Sequence, residues 1–186
     1  MATTQDVSNG MFLKYNGELV QIFEWQHRTP GNLRAFYQAR MRNIKNGKIV
    51  ENRFRSGEEV DIVRVEYKTM QYLYKDGESL VCMDRDTFDQ VYVPAEYFGE
   101  NLDFMKEEME VTVTFFEDQP IMAAPPTFVE LMVTYAEPAV KGDTSTNALK
   151  DVTLETGAHI MVPMFVNQDE KIKIDTRTRS YVERVK

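Results

Sequence analysis

The sequence predicts an all-β protein built from three consecutive small β-barrels in an elongated arrangement. Short segments rich in β-branched and aromatic residues alternate with turn signals along the 186 residues. Three of these signals, Asn16-Gly17, Pro30-Gly31 and Asn46-Gly47, each separate two segments of strand composition. Only Pro94–Met105 shows helical spacing of apolar residues, and Gly99 weakens that pattern.

The first unit, residues 1–64, is predicted to be an SH3-like barrel. Asn16-Gly17 supplies the two positive φ values of a type I′ turn. Pro30-Gly31 predicts a type II reversal, which makes Asn32, Leu33 and Arg34 the tip of a long hairpin arm. Short strands without helical periodicity are typical of such strongly bent barrels. The predicted strands are Met11–Tyr15, Glu18–Gln26, Arg34–Ile44, Ile49–Arg55 and Val60–Val65.

The second and third units, residues 65–128 and 129–186, share a length and a strand rhythm that predict two related barrels of OB type. Pro125-Pro126 marks the passage between them, and Glu137–Thr146 is predicted to be a polar loop in the third unit. The predicted strands are Glu66–Tyr74, Ser79–Asp84, Thr87–Val93, Met109–Phe116 and Pro120–Ala124, then Phe128–Tyr135, Val152–Leu154, His159–Val166, Lys171–Asp175 and Tyr181–Val185.

Basic residues are concentrated in and behind the arm, where Glu51 is the single acid among them. An arm with a cationic base and a small polar tip suits contact along a phosphate backbone toward a reactive end. A solvated hairpin with ordinary surface arginines is the alternative, and charge alone leaves both open. The basic residues are Arg28, Arg34, Arg40, Arg42, Lys45, Lys48, Arg53 and Arg55.

The charge is distributed unevenly along the chain. The whole chain carries −8. Residues 1–64 contain ten Lys and Arg against seven Asp and Glu, a net of +3, whereas residues 65–128 contain four against fourteen, a net of −10. Residues 129–186 contain eight Lys and Arg against nine Asp and Glu, a net charge of −1. Because binding follows local potential, the first unit is the predicted nucleic-acid contact, and the acidic middle restricts how it lies on phosphate.

Other functional classes receive little support. No apolar run approaches the roughly 18 residues of a membrane span, and the amino terminus lacks a leader pattern, so a soluble cytoplasmic protein is expected. Cys82 has no partner for a disulfide and is predicted to be a buried inert thiol. His27 and His159 are predicted to be structural, with no metal and no cofactor. Trp25 and His27 could stack on a base, but core packing is favoured for Trp25. These features predict a non-catalytic RNA or ribosome binder, with no membrane or DNA partner.

The carboxyl-terminal third contains a long signature. It comprises Glu155-Thr156-Gly157, Val162-Pro163-Met164-Phe165-Val166 and Ile172-Lys173-Ile174-Asp175-Thr176-Arg177, followed by Tyr181. This signature closely resembles that of bacterial elongation factor P. Further landmarks upstream match as well, so the resemblance spans essentially the whole chain. They are Pro30-Gly31, Pro125-Pro126, Val129-Glu130-Leu131 and Lys141-Gly142-Asp143-Thr144.

The resemblance implies a KOW-type first domain and two OB domains in an L shape that resembles transfer RNA. It implies a monomeric, non-enzymatic factor that binds both ribosomal subunits between the peptidyl and exit sites. The arm would contact peptidyl-tRNA, and the factor would stimulate peptide-bond formation at consecutive prolines. The implied arm residues are Arg28, Pro30, Gly31, Asn32, Leu33 and Arg34, supported by Arg40, Arg42, Lys45, Arg53 and Arg55; the signature residues are Glu155, Thr156, Gly157, Pro163, Asp175, Thr176, Arg177 and Tyr181.

The chain departs from the family pattern at the tip and at three turns. Asn32 stands where members commonly carry a modified lysine or arginine, so either the arm works unmodified, which is favoured, or Arg34 supplies the cation. Ala139, Asp169 and Arg179 stand where glycine is usual, which predicts altered turn chemistry with the fold retained. Two alternatives remain: a generic RNA-binding module, and an enzyme, which would need a ligand-sized pocket.

Overall fold

The computed structural model describes residues 2–31, 34–137 and 148–185. Within these residues, three sheets account for nearly all the regular structure, with one 3-10 segment, as expected for an all-β chain. The chain divides into two compact units, residues 1–66 with 115–121 and residues 67–114 with 122–186. The first sheet lies in the first unit, and the third sheet lies in the second.

The first sheet has six strands in the order β1-β6-β2-β3-β4-β5. The short strand β1, which the sequence pattern did not predict, pairs with β6 through Ala2↔Val60 and Thr3↔Glu59. Its core is formed by the buried apolar side chains Val7, Leu13, Val20, Ile22, Ala39, Met41 and Phe54. The strands are β1 Ala2–Thr3, β2 Phe12–Tyr15, β3 Glu18–Arg28, β4 Phe36–Asn43, β5 Ile49–Arg55 and β6 Glu59–Val63.

Two Asn-Gly turns in this barrel have different backbones. Asn16 and Gly17 have φ of 51° and 80°, as the predicted type I′ turn requires. At the second turn only Gly47 has a positive φ, of 67°. There the side chain of Asn43 accepts the N–H groups of Lys45 at 2.9 Å and Asn46 at 3.2 Å, which builds a longer loop.

The second sheet has five strands in the order β11-β10-β7-β8-β9. The predicted helical stretch is a 3-10 segment, Ala95–Phe104, interrupted at Gly99, where φ is 55° and ψ is −139°. Glycine populates such angles without a steric penalty, so the weakened pattern corresponds to a real break. The strands are β7 Glu66–Asp76, β8 Ser79–Asp84, β9 Gln90–Pro94, β10 Glu110–Phe116 and β11 Gln119–Ala124.

The third sheet has five strands in the order β14-β13-β12-β15-β16. Alternate residues of β12 are buried, with Val129, Leu131 and Val133 at most 3% exposed, which is the pattern of a sheet with one face on a core. Phe104 from the 3-10 segment belongs to this core. The strands are β12 Phe128–Ala136, β13 Leu149–Leu154, β14 His159–Pro163, β15 Lys171–Asp175 and β16 Ser180–Val185.

Candidate nucleic-acid interface

The predicted arm is a long hairpin of β3 and β4. The two strands pair from Val20↔Asn43 to Arg28↔Phe36, and Pro30, Gly31 and Arg34 beyond them are exposed. Gly31 has φ of 38°, on the positive side that the predicted reversal requires. The predicted tip residues Asn32 and Leu33 lie outside the described residues.

The basic residues of strands β3, β4 and β5 lie on one face of the sheet. Arg28 is opposite Phe36, which is opposite Arg55, while Arg40 is opposite Glu24 and Glu51. Directly opposed residues share a face, and so do alternate residues of one strand. The register therefore gathers the following residues on a single surface, the cationic face: Arg28, Arg40, Arg42, Arg53 and Arg55.

A bulge in β3 is what brings Arg28 to this face. The pairing shifts between Ile22 and Glu24, so that Ile22 points into the core while Glu24, two residues on, lies opposite Arg40 on the other face. One extra residue in a strand reverses the faces of all residues after it. Simple alternation from the buried Ile22 would have placed Arg28 on the core side.

The arginines of the cationic face are not equally available. Arg40 forms ion pairs with Glu24 at 3.4 Å and Glu51 at 3.0 Å, and its guanidinium lies 5.1 Å from the ring centroid of Phe23. Arg53 lies over the ring of Phe36 at 5.2 Å. The guanidinium group of Arg40 is thus largely occupied by contacts within the protein. Arg53 instead makes a cation–π contact with an aromatic ring.

The opposite face of the arm carries aromatic rings that anchor it. Trp25 stacks on Tyr37 with centroids 5.2 Å apart and an interplanar angle of 20°, and it contacts Phe54 at 5.3 Å. Its Nε1–H donates to the carbonyl of Thr4 at 3.3 Å. His27 packs on Tyr37 at 4.8 Å. Trp25 is therefore part of the barrel packing, the role that the sequence favoured over base stacking.

Lys45 occupies the turn at the other end of β4. It is exposed, and its backbone N–H is bound by the Asn43 side chain. Asn43 is itself nearly fully buried and donates to Glu18. This polar network fixes the loop that presents Lys45 and Lys48, so these two cations extend the basic surface away from the tip.

Residues of the carboxyl-terminal signature organise turns of the third sheet. Glu155 accepts the N–H of Met132 at 3.0 Å through Oε1 and pairs with Lys106 at 2.8 Å through Oε2. Gly157 has φ of 85°, which closes the turn between β13 and β14. Pro163 ends β14, and Tyr181 meets the exposed Phe165 edge to face at 6.4 Å.

The Asp175-Thr176-Arg177 motif ties β15 to the start of β12. Arg177 donates to both carboxylate oxygens of Asp175, at 3.1 and 2.7 Å. These hydrogen bonds hold the pKa of Asp175 at about 2, well below its ordinary value. The Thr176 hydroxyl donates toward the carbonyls of Pro126 at 2.8 Å and Thr127 at 3.2 Å. Asp175, Thr176 and Arg177 thus stabilise the third barrel.

Two of the three residues that replace a glycine usual in the family lie within the described residues. Asp169 and Arg179 have φ of 64° and 52°, both in the left-handed region where glycine is usual. The backbone conformation is therefore kept although the residue type differs. Ala139 and the Lys141–Thr144 loop lie outside the described residues.

The remaining chemically active residues have structural surroundings. Cys82 is fully buried, and burial raises the pKa of its thiol to about 11. His159 lies 2.8 Å from Asp151 through Nδ1 on the third sheet. Within the described ranges, no three His, Cys, Asp or Glu side chains cluster closely enough to bind a metal ion. Among the helical segments of the same residues, none has the length and apolarity needed to cross a membrane.

Ligand-sized grooves do exist on the first and third sheets. One, of about 790 Å³, is lined by β2, β5 and β6 and includes Leu13, Phe54 and Arg53. The other, of about 700 Å³, includes Phe165, Tyr181 and Arg184. The described lining of neither groove contains a serine, cysteine or histidine, the residues of a Ser-His or Cys-His nucleophile pair.

Three models of one family together match most of the chain. Residues 3–60 match the elongation factor P KOW-like domain, residues 65–123 the elongation factor P OB domain, and residues 129–184 the elongation factor P C-terminal domain. Among solved structures, the eukaryotic translation initiation factor 5A from Methanococcus jannaschii is similar, with a TM-score of 0.51 and 16% identity. It covers 66% of this chain and 94% of its own, and this likeness concerns the fold.

Curated relatives are similar over their full lengths. Elongation factor P of Chloroherpeton thalassium is 51% identical over 187 residues, and that of Roseiflexus sp. is 48% identical over 187 residues. Each alignment covers 100% of both chains. The sequence resemblance is thereby confirmed, and with it the KOW-like and OB composition of the fold. The chain belongs to the elongation factor P family and is a translation elongation factor.

Proposed function

We propose that this factor binds the ribosome between the peptidyl and exit sites, contacts peptidyl-tRNA and stimulates peptide-bond formation at consecutive prolines. The observation that carries the proposal is the two-sided arm. One side presents Arg28, Arg42, Arg53 and Arg55 together, and the other is fixed to the barrel by the Trp25 stack. A stiff hairpin with a cationic face suits a phosphate backbone, where each cation displaces a counterion.

The domains take separate roles in this proposal. Residues 1–64 direct the arm toward the acceptor end of peptidyl-tRNA. Residues 65–128 form the acidic central OB domain, and residues 129–186 form the OB domain directed at the small subunit. The protein acts as a monomer, without DNA, a membrane or a cofactor as partner. The net charges of +3, −10 and −1 support this division, because only the first domain has a basic surplus.

The mechanism is positional and involves no covalent step on this chain. Proline is a constrained nucleophile, so the ribosomal reaction at consecutive prolines is limited by how often the reacting ends are aligned. Ordering two reactants can lower a barrier by several kcal/mol, because the entropy loss is incurred on binding. The arm contributes by restricting peptidyl-tRNA through phosphate contacts, while the ribosome performs the chemistry.

The tip works without modification in this proposal. Asn32 carries a carboxamide, which cannot accept the modifications made on lysine or arginine amino and guanidino groups. Its amide can still donate and accept hydrogen bonds at the end of the arm. Arg34 is exposed two residues further on and is the next candidate for a contact that requires charge.

The test is reconstituted translation of a message with three consecutive prolines, using factor made in a host without modifying enzymes. Relief of the stall is expected, with Asn32→Ala and Arg34→Ala each reducing it although both variants remain folded. Lys14→Ala is the matched control, since Lys14 is an exposed cation of the same barrel on β2, outside the β3–β4 hairpin. Full relief by both arm variants would remove the arm from the mechanism.

Binding experiments separate this function from general RNA binding. A module that reads only phosphate would bind free RNA, with a salt dependence that counts the contacts. The proposed factor binds ribosomes carrying peptidyl-tRNA and has negligible affinity for an unstructured RNA of equal length. Equal affinity for both would favour the general RNA-binding function.

A further inference from the structure

Arg179 occupies a turn position that is unfavourable for its backbone. It lies between β15 and β16 with φ of 52°, in the left-handed region that glycine adopts easily and a long side chain does not. The preceding residues of this turn are well bonded, with the N–H of Arg177 donating to Asp175 Oδ1 at 2.9 Å. A strained residue persists only when its surroundings hold it there.

Among the described residues, the side chain of Arg179 makes three contacts, all of them to the 3-10 segment of the second barrel. Its Nη1 donates to the carbonyl of Glu100, and its Nη2 lies 3.5 Å from Asp103 Oδ2. Its guanidinium carbon stands 4.4 Å from the ring centroid of Phe104. A backbone acceptor, a carboxylate and an aromatic face are thus engaged by one planar cation.

The ring beneath Arg179 belongs to the core of the third barrel. Phe104 is 0% exposed and packs with buried residues of that core, which include Leu131, Leu154 and Ile172. Met109, shortly after the 3-10 segment, also packs against this core. The second barrel therefore supplies part of the third barrel's interior, and Arg179 covers the point of entry.

A second ion pair lies near the other end of this connection. Lys106, two residues after Phe104, pairs with Glu155 at 2.8 Å, and Glu155 also accepts the N–H of Met132. The buried ring is thus bracketed along the chain by Asp103, paired with Arg179, and by Lys106, paired with Glu155. An apolar plug resists separation but is non-directional, whereas the ion pairs on both sides, together with the hydrogen bond from Arg179 to the Glu100 carbonyl, also resist rotation.

We propose that Arg179 is a positioning residue that fixes the orientation of the third barrel on the 3-10 segment of the second. The strain at its backbone is maintained because the side chain gains three directional contacts. The consequence for ribosome binding rests on the proposed function: two barrels held at one angle lose less freedom when both engage their sites. The orientation itself is a property of the free protein.

The experiment measures distances between the two barrels with paired spin labels. Labels are attached at Gln90→Cys on the second barrel and Met161→Cys on the third, both exposed positions. The native Cys82 can remain, since its thiol is buried. The distance distribution is recorded for the parent, Arg179→Gly, Arg179→Lys, Asp103→Asn and Asp169→Gly.

Asp169→Gly is the matched control. Asp169 is also a non-glycine residue of the third barrel at positive φ, and its N–H donates to the carbonyl of Val133 at 2.8 Å. Changing it to glycine relieves the same kind of strain without touching the 3-10 segment. The distribution is expected to stay narrow for Asp169→Gly and to broaden clearly for Arg179→Gly. Intermediate widths are expected for Arg179→Lys and Asp103→Asn.

An unchanged width in Arg179→Gly would overturn the proposal, and so would equal broadening in Asp169→Gly. In the translation assay, Arg179→Gly is expected to raise the concentration giving half-maximal relief by about threefold to tenfold, with the maximal rate retained. If the distance distribution of Arg179→Gly broadens but the concentration for half-maximal stall relief is unchanged, the proposed effect on ribosome binding is rejected. Absence of any stall relief by the parent would reject the proposed function and leave the distance result intact.

Discussion

Trp25 of β3 and Tyr37 of β4 lie on the same face of the arm, and their rings stack 5.2 Å apart. The indole also donates to the carbonyl of Thr4, next to the short strand β1. The arm is consequently joined to the barrel through its aromatic side, and its arginines remain on the side facing away. This division determines which substitutions should affect stability and which should affect binding.

Trp25→Ala should destabilise the first barrel by about 3 kcal/mol, because it removes two ring contacts and a hydrogen bond from a packed position. Far-UV circular dichroism during urea unfolding measures the change. Phe23→Ala is the comparison, since Phe23 is 39% exposed and lies beneath Arg40. It should cost under about 1 kcal/mol. Equal losses for the two variants would contradict the assignment of Trp25 to the packing.

Arg53→Ala should weaken ribosome binding and reduce the slope of log affinity against log salt by about 0.7 to 0.9, the value for one phosphate contact. Arg40→Ala should change the slope less, because Arg40 is already paired with Glu24 and Glu51. Ribosome binding is measured for both variants at salt concentrations from about 50 to about 200 mM. A larger effect for Arg40 would mean that its ion pairs open on binding.

The first hairpin of the first barrel and the position of its arm followed from local turn chemistry, whereas the strand β1 and its pairing with β6 did not. Asn16-Gly17 has one low-energy solution in a hairpin, and the structure adopts it. The common face of the arginines did not follow, because the bulge between Ile22 and Glu24 reverses the alternation without a glycine or proline to mark it. The register of β3, β4 and β5 depends on contacts between residues far apart in the sequence, which a local pattern does not contain.

The shared core of the second and third barrels was also beyond the sequence pattern. Phe104 lies in the one stretch with helical spacing, which assigns it to the second unit but does not say where its ring packs. By contrast, the strained positions Asp169 and Arg179 could be identified, because a residue at a turn that usually holds glycine keeps the turn's φ. The contacts that Arg179 makes with the 3-10 segment could be identified only from the structure.

Phe104→Ala should destabilise the compact unit of residues 67–114 and 122–186 by about 3 to 5 kcal/mol, the usual cost of removing a fully buried phenylalanine ring. Trp25, the single tryptophan, lies in the first unit, so its fluorescence reports on that unit alone. The variant should therefore shift the transition seen by circular dichroism to lower urea while the tryptophan transition stays in place. Phe88→Ala, at a ring that is 70% exposed, is the control and should leave both transitions unchanged. Joint movement of the two transitions in Phe104→Ala would show that the units unfold together.

The Asp175–Arg177 pair predicts a specific acid sensitivity of the third barrel. Hydrogen bonding from Arg177 lowers the pKa of Asp175 to about 2 in the folded protein, against about 3.9 in an unfolded chain. A depressed pKa stabilises the fold above the unfolded value, and the contribution is lost as the pH falls from about 4 toward 2. Asp175→Asn should accordingly be less stable than the parent at pH 6, and the gap should narrow below about pH 4.

Other carboxyls make the parent itself acid-sensitive, so the difference between parent and variant is the quantity to follow. The pKa of Asp6 is lowered by the backbone N–H of Thr3, and that of Glu170 by the backbone N–H of Asn167. Both contributions are common to parent and Asp175→Asn and cancel in the gap. Urea midpoints at several pH values measure this gap, with Glu183→Gln as control, because Glu183 forms an exposed pair with Lys173 at 3.2 Å. A gap for Asp175→Asn that stays constant down to the lowest pH would mean that the carboxylate charge contributes nothing and that the loss comes from the hydrogen-bond geometry alone.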